Sequence, residues 1–218
     1  MGSRVQQLMR RFRYGRPIVV VSGLPRSGTS MAMKMLDAGG MPILTDGVRG
    51  PDESNPRGYY ELETVKELHT QRETAWLDGA RGRAVKIVSF LLTWLPETHD
   101  YQVIFMQRDL REVIASETTM LLKRGQDIQV SSEEQTRMVY KQHLDKVEKF
   151  LANRRCFTTL LVNYRDALER PEEAARRMRG FVGRSLDIEQ MARVADPALY
   201  RNRVDPVGSK GGAGLDSH

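Results

Sequence analysis

Four short stretches of this chain are apolar almost without interruption: IVVVSG at 18–23, AVKIVSF at 84–90, YQVIFMQR at 101–108 and FTTLLVNY at 157–164. A strand with one wet face alternates apolar and polar residues, whereas a strand covered on both faces does not, so these runs predict a buried parallel sheet. Helical periodicity fills the intervals over 29–38, 61–77, 110–123 and 132–153, and continues after the last strand over 171–182 and 187–194. Strands alternating with helices predict an α/β fold, three layers deep (α/β/α), around a central parallel sheet of four to five strands. In such sheets ligands collect at the carboxyl ends of the strands, so the loops leaving those ends are where chemistry is expected.

The first such loop is GLPRSG at 23–28, set between an apolar strand and a helix. Two glycines five apart, followed by Thr29 and Ser30, keep the outline of a P-loop, whose successive amides and following helix N-terminus cradle an anion. A nucleoside-triphosphatase loop would carry lysine where Thr29 stands, to reach a terminal phosphate. Arg26 instead puts a permanent charge inside the loop, which suits a ligand with fewer phosphates and no required metal.

The net charge of +6 is unevenly spread. Arg4, Arg10, Arg11, Arg13 and Arg16 crowd residues 1–16 with no acid among them, and the remaining chain is nearly neutral. A pI of 9.6 ordinarily raises nucleic acid as a partner. Here the charge is local and lacks interleaved aromatics, so no nucleic-acid partner is expected. Val5, Leu8, Met9 and Phe12 fall at helical spacing, which makes residues 1–16 a basic tail or short amphipathic helix able to touch an anionic surface. The domain proper is expected over 17–205, with a flexible tail at 206–218. The single cysteine, Cys156, is read as opening a buried strand, and together with the lack of a long apolar run this gives a cytoplasmic expectation. Residues 42–60, rich in Pro, Gly, Asp and Asn, read as a long loop of the kind that forms lids.

PRSGTS, from Pro25 through Arg26, Ser27, Gly28 and Thr29 to Ser30, resembles the 5′-phosphosulfate loop of sulfotransferases that use 3′-phosphoadenosine 5′-phosphosulfate (PAPS). A second segment, RDLREVIAS, is similar to the part of that family that holds the nucleotide's 3′-phosphate, with Arg108 at the strand end and Ser116 two turns into the next helix. Asp109 also suits an N-cap there. Further on, Tyr164, Asp166 and Pro171 align with the family's last strand and the helix after it, in structural roles. The resemblance spans roughly 17–200 and is greatest to short bacterial members and their tyrosylprotein and Golgi relatives.

The pattern also departs from the family. Met31 stands where cytosolic relatives stack a tryptophan on adenine, and Val88 stands where their histidine base follows a lysine that Lys86 matches. The resemblance to arm-bearing relatives implies a carboxylate base, for which Asp46 and Glu61 are the candidates, with His69 and Glu53 as outsiders. Glu61 is favoured slightly because aromatic neighbours at the end of the loop would desolvate it. The family's C-terminal glycine-lysine segment is not evident, which leaves Arg201, Arg203 or Lys210 to supply its cation.

What the resemblance implies is transfer of a sulfuryl group from PAPS to a hydroxyl or amine of a small-molecule or peptide acceptor, leaving adenosine 3′,5′-bisphosphate (PAP), with no metal. Arg26 and Lys86 would face the developing charge. The rivals are a P-loop kinase-like phosphotransferase and a non-catalytic nucleotide-binding module of the same fold. Tyr59, Tyr60, Trp76 and Met120 are candidates for an acceptor pocket, with 42–75 and 117–140 as the regions that set acceptor choice.

Overall fold

In the computed structural model, which describes residues 9–10, 12–46, 60–70, 74–123, 125 and 132–195, β1 (Ile18–Gly23) is buried along its whole length. It lies between β2 (Ala84–Lys86) and β3 (Tyr101–Gln107), and β4 (Phe157–Asn163) completes a sheet of order β2-β1-β3-β4, parallel throughout. The predicted fold class therefore stands, with four strands among the described residues.

Alternation along β1 sorts the core into two layers. Val19 and Val21 face one side with Ile104, Met106 and Val162, against helices α1 (Thr29–Ala38), α6 (Tyr164–Glu169), α7 (Pro171–Val182) and α8 (Ile188–Arg193). Ile18 and Val20 face the other with Val85, Val103 and Phe105. There they meet Val147 and Leu151 of α5 (Glu133–Asn153) and the short helices α2 (Glu63–Lys66) and α3 (Trp76–Gly79). Burial on both faces is what made β1, β2 and β3 nearly continuous in hydrophobicity, whereas β4, last in the strand order, leaves Thr159 and Leu161 exposed.

Helix boundaries follow local chemistry. Ser132 and Gln135 form a reciprocal capping box at the start of α5. Pro171 occupies the first turn of α7, and Gly183 ends it in the left-handed conformation. Asn163 caps α6 by accepting from the amides of Arg165 and Asp166, so this helix begins at Tyr164, where the sequence reading had strand.

Two further expectations are corrected. The helix predicted over 61–77 is broken into α2, a 3₁₀ turn at Leu68–Thr70 and α3. His69 Nδ1 and the Thr70 hydroxyl take the carbonyls of Lys66 and Glu67, drawing the chain into the tighter turn. The strand predicted to reach residue 90 stops at Lys86, and Ser89–Trp94 coil into a 3₁₀ helix. Cys156 is buried just before β4, and burial pushes its thiol up to about 11.

Near the amino terminus, Arg10 bonds to Asp100 and Arg81 bonds to the Tyr14 carbonyl, which fixes the chain leading into β1. Met9 and Phe12 are exposed, while Val5 and Leu8 lie outside the described residues. No helix among the described residues is long and apolar enough to cross a membrane.

Candidate functional site

The loop from Gly23 to Gly28 is a tight structure closed on itself. Ser27 donates to the Leu24 carbonyl through both its hydroxyl, at 2.7 Å, and its amide, at 3.2 Å. Gly23 has φ +150°, and a Cβ there would lie 2.4 Å from Ser27 Oγ and 2.7 Å from the Met106 carbonyl oxygen. Arg26 has φ +67°, a left-handed conformation that costs a residue with a side chain roughly 1–2 kcal/mol. Gly28 (φ +100°) opens α1, and Thr29 and Ser30 form its first turn, with no acid there to oppose an anion.

Register brings the second segment alongside. Gly23 pairs with Met106, and Gln107 pairs with Asn163, so β1, β3 and β4 end level with one another. Arg108, just past β3, lies over the Tyr164 ring at 4.5 Å and donates to the Arg26 carbonyl at 3.1 Å. Its Nε donates to Glu112 Oε2 at 2.9 Å. Glu112 lies in the first turn of α4 (Leu110–Lys123) and is 1% exposed; its other oxygen takes Arg165 Nη2 at 3.2 Å. One turn further along, buried Ser116 accepts from Arg26 Nε at 3.0 Å. Asp109 turns the chain into α4 by accepting from the Arg111 amide, and the Arg111 guanidinium holds its carboxyl below the usual range. Burial pushes the Tyr164 hydroxyl up, with Arg108 acting against it.

A third group converges from β2. Alternation puts Lys86 on the α1 side of the sheet, where its Nζ lies 3.4 Å from Ser30 Oγ and 3.6 Å from Glu61 Oε1. The Lys86 side chain is 8% exposed and that of Glu61 21%. Of the two carboxylates weighed as base, Glu61 therefore faces Lys86 of β2, while exposed Asp46 accepts from the Glu63 amide at 2.6 Å, at the start of α2. Thr45 ties the two segments by donating to the Glu61 carbonyl. His69 is occupied with the Lys66 carbonyl. Arg201, Arg203, Lys210, Glu53 and Tyr59 lie outside the described residues.

Other residues named from sequence are placed as follows. Met31 packs on the α1-side core, and Trp76 packs on the core of the opposite face. Tyr60 donates to Asp37 at 2.9 Å, and burial with that carboxylate pushes its hydroxyl up to about 12. Beyond Lys86, the Ser89 hydroxyl pairs with His143 Nε2 at 2.9 Å and Phe90 stacks on the His143 ring at 4.0 Å. Tyr140, one turn earlier, donates to Glu117 at 2.5 Å. Glu112 and Arg165 were not anticipated. The i,i+4 spacing of Arg108 and Glu112 was the available signal for the first.

Residues 16–203 match the family model of the sulfotransferase domain. The chain belongs to the sulfotransferase family. Sulfuryl transfer is the chemistry for which this domain family is named. No curated protein matches this sulfotransferase. Among solved structures it resembles retinol dehydratase, determined in complex with androsterone and the inactive cofactor PAP, at 17% identity and a TM-score of 0.46. That likeness covers 86% of this sulfotransferase and 66% of the other chain.

Proposed function

We propose that the enzyme transfers a sulfuryl group from PAPS to a hydroxyl or amine of a small-molecule or peptide acceptor, releasing PAP. The observation that carries this reading is the contact between two anion-binding segments distant in sequence: Arg26 of the loop bonds to Ser116, and Arg108 bonds to the Arg26 carbonyl. The donor set suits a nucleotide with two separated anionic groups. The loop amides with Arg26, Thr29 and Ser30 suit the 5′ end, while Arg108 and Ser116 suit a 3′-phosphate. PAPS, when bound, supplies an activated sulfuryl group whose leaving group is the nucleotide's 5′-phosphate.

The chain's own residues then divide the work. The amides of Gly28 and Thr29, with Pro25 and Ser27 shaping the turn around Arg26, stabilise negative charge as it grows on the leaving oxygen. Arg26 contributes charge and no proton, because a guanidinium does not deprotonate near neutral pH. Lys86 steadies the sulfuryl oxygens, and Glu61 takes the acceptor's proton; its position opposite Lys86 favours it over Asp46. Residues 17–205 form the catalytic domain in this reading, and the buried, inert Cys156 agrees with a cytoplasmic setting.

The deciding experiment is calorimetric titration of wild type and Arg108→Ala with PAP, 5′-AMP and magnesium-ATP. Selective binding of PAP, weakened in the variant, is expected. Preference for magnesium-ATP would put the kinase-like reading first. Sulfuryl transfer from PAPS to any acceptor in a broad phenol, alcohol and amine panel would set the non-catalytic module aside.

A further inference from the structure

The chain leading into β1 is held on one side and bare on the other. Residues 9, 10 and 12–14 are helical. On the held side Arg10 bonds to Asp100 and lies over the Tyr14 ring at 4.9 Å, and the Tyr14 carbonyl takes Arg81. On the bare side stand Met9, 67% exposed, and Phe12, 96% exposed, three residues apart and so neighbours on a helix surface. A phenylalanine this exposed contributes nothing to the core and leaves apolar area in water.

The surroundings of this pair are cationic. The nearby acids are already taken, Asp100 by Arg10 and Asp78 by Arg81 and His99. Arg13, Arg16 and Arg184, by contrast, have no carboxylate partner among the described residues. Arg184 arrives from beyond the end of α7 and donates to the Gly82 carbonyl at 2.6 Å. A Cβ on Gly82 would lie 3.1 Å from Arg16 Cδ and 3.8 Å from Arg184 Nη1, so arginines from two distant parts of the chain meet at the foot of the segment. The sequence adds Arg4 and Arg11, with no acid among residues 1–16. Apolar side chains set among such cations suit an anionic bilayer, where the ring enters the acyl boundary while guanidiniums reach lipid phosphates. A nucleic-acid backbone would use the arginines and leave Phe12 in water.

Placement in the fold agrees. Asp100 precedes β3 and Arg81 precedes β2, so the segment lies at the amino end of the sheet. The phosphate loop, Arg108 and Lys86 lie at the carboxyl end, roughly 20 Å away along the six residues of β1. A bilayer bound at the amino end therefore leaves that site uncovered. We propose that residues 1–16 dock the protein on an anionic lipid surface, with Met9 and Phe12 entering it and Arg13, Arg16 and Arg184 meeting its headgroups.

The test is cosedimentation of the full chain with phosphatidylcholine vesicles, with and without phosphatidylserine, for wild type, Phe12→Ser and Arg13→Gln. Both side chains are exposed, so the fold is kept, and equal urea midpoints verify it. Wild type should bind the phosphatidylserine vesicles about tenfold or more tightly than the neutral ones, and less so as salt rises from about 0.1 to about 0.5 M. Phe12→Ser should weaken binding about tenfold and Arg13→Gln about fivefold. No binding to phosphatidylserine vesicles, equal binding to both kinds, or undiminished binding by Phe12→Ser would each overturn the proposal. Binding to duplex DNA but not to vesicles, unaltered in Phe12→Ser, would make this a nucleic-acid surface instead.

Discussion

Arg26 Nε donates to Ser116 Oγ at 3.0 Å across ninety residues of sequence. A single hydroxyl thus links the loop after β1 to the helix after β3, and a ligand that engages Ser116 also acts on the arginine inside the loop. Ser116→Ala should weaken PAP binding by about 1.5–3 kcal/mol, the value of a hydrogen bond to a charged group, and 5′-AMP binding by less. Calorimetry on the two nucleotides checks this, and equal losses for both would refute a 3′-phosphate role for Ser116.

Glu61 and Lys86 face one another at 3.6 Å beside Ser30. Glu61→Gln should reduce turnover by about 10²–10⁴, the usual range for a general base, while leaving PAP affinity within about threefold. Single-turnover assays with an identified acceptor provide the measurement. Unchanged turnover would remove Glu61 from the chemistry and return attention to Asp46.

Gly28 is held by conformation and by space. Its φ is +100°, and a Cβ would stand 2.4 Å from the Tyr164 ring, itself beneath the Arg108 guanidinium. Gly28→Ala should destabilise the protein by about 2 kcal/mol or more, visible as a lower urea midpoint. A midpoint equal to wild type would mean that the ring yields.

His143 carries a pH prediction. Burial, with Lys146 nearby, lowers its pKa below the ordinary 6.5, so the folded protein favours the neutral ring. The unfolded chain then binds more protons than the folded one between the two pKa values. Stability from this group is present above about 6.5 and falls away as pH drops toward the folded pKa. His143→Gln should therefore show a smaller loss of urea midpoint than wild type between about pH 7.5 and 5.5. Parallel losses would show that other groups govern the acid limb.

Much of this architecture was legible in the chain because double burial leaves its mark on strand sequences. Val19, Val20 and Val21 could serve two opposite faces only in a sheet covered on both sides. The loop's turn was also open to reading, since Gly23 and Gly28 with positive φ mark it in the local sequence. Glu112 escaped notice because RDLRE reads as a solvated helix start. Its burial depends on Arg165 arriving from β4, and the pairing of β3 with β4 is not written in either segment. Likewise, the break at 68–70 comes from His69 and Thr70 bonding to carbonyls, which hydrophobic spacing does not register.

The level ends of β1, β3 and β4 also bear on how the chain acquires its function. Arg26, Arg108 and Arg165 belong to segments that meet only when three parallel strands have docked, and the last of them begins at Phe157. Parallel pairings close long loops and come slowly, since chain entropy is spent before contacts are gained. A chain lacking β4 would hold the loop, Arg108 and Ser116 without Tyr164 and Arg165. Assembly of these three strand ends is thus among the last features the folding chain acquires.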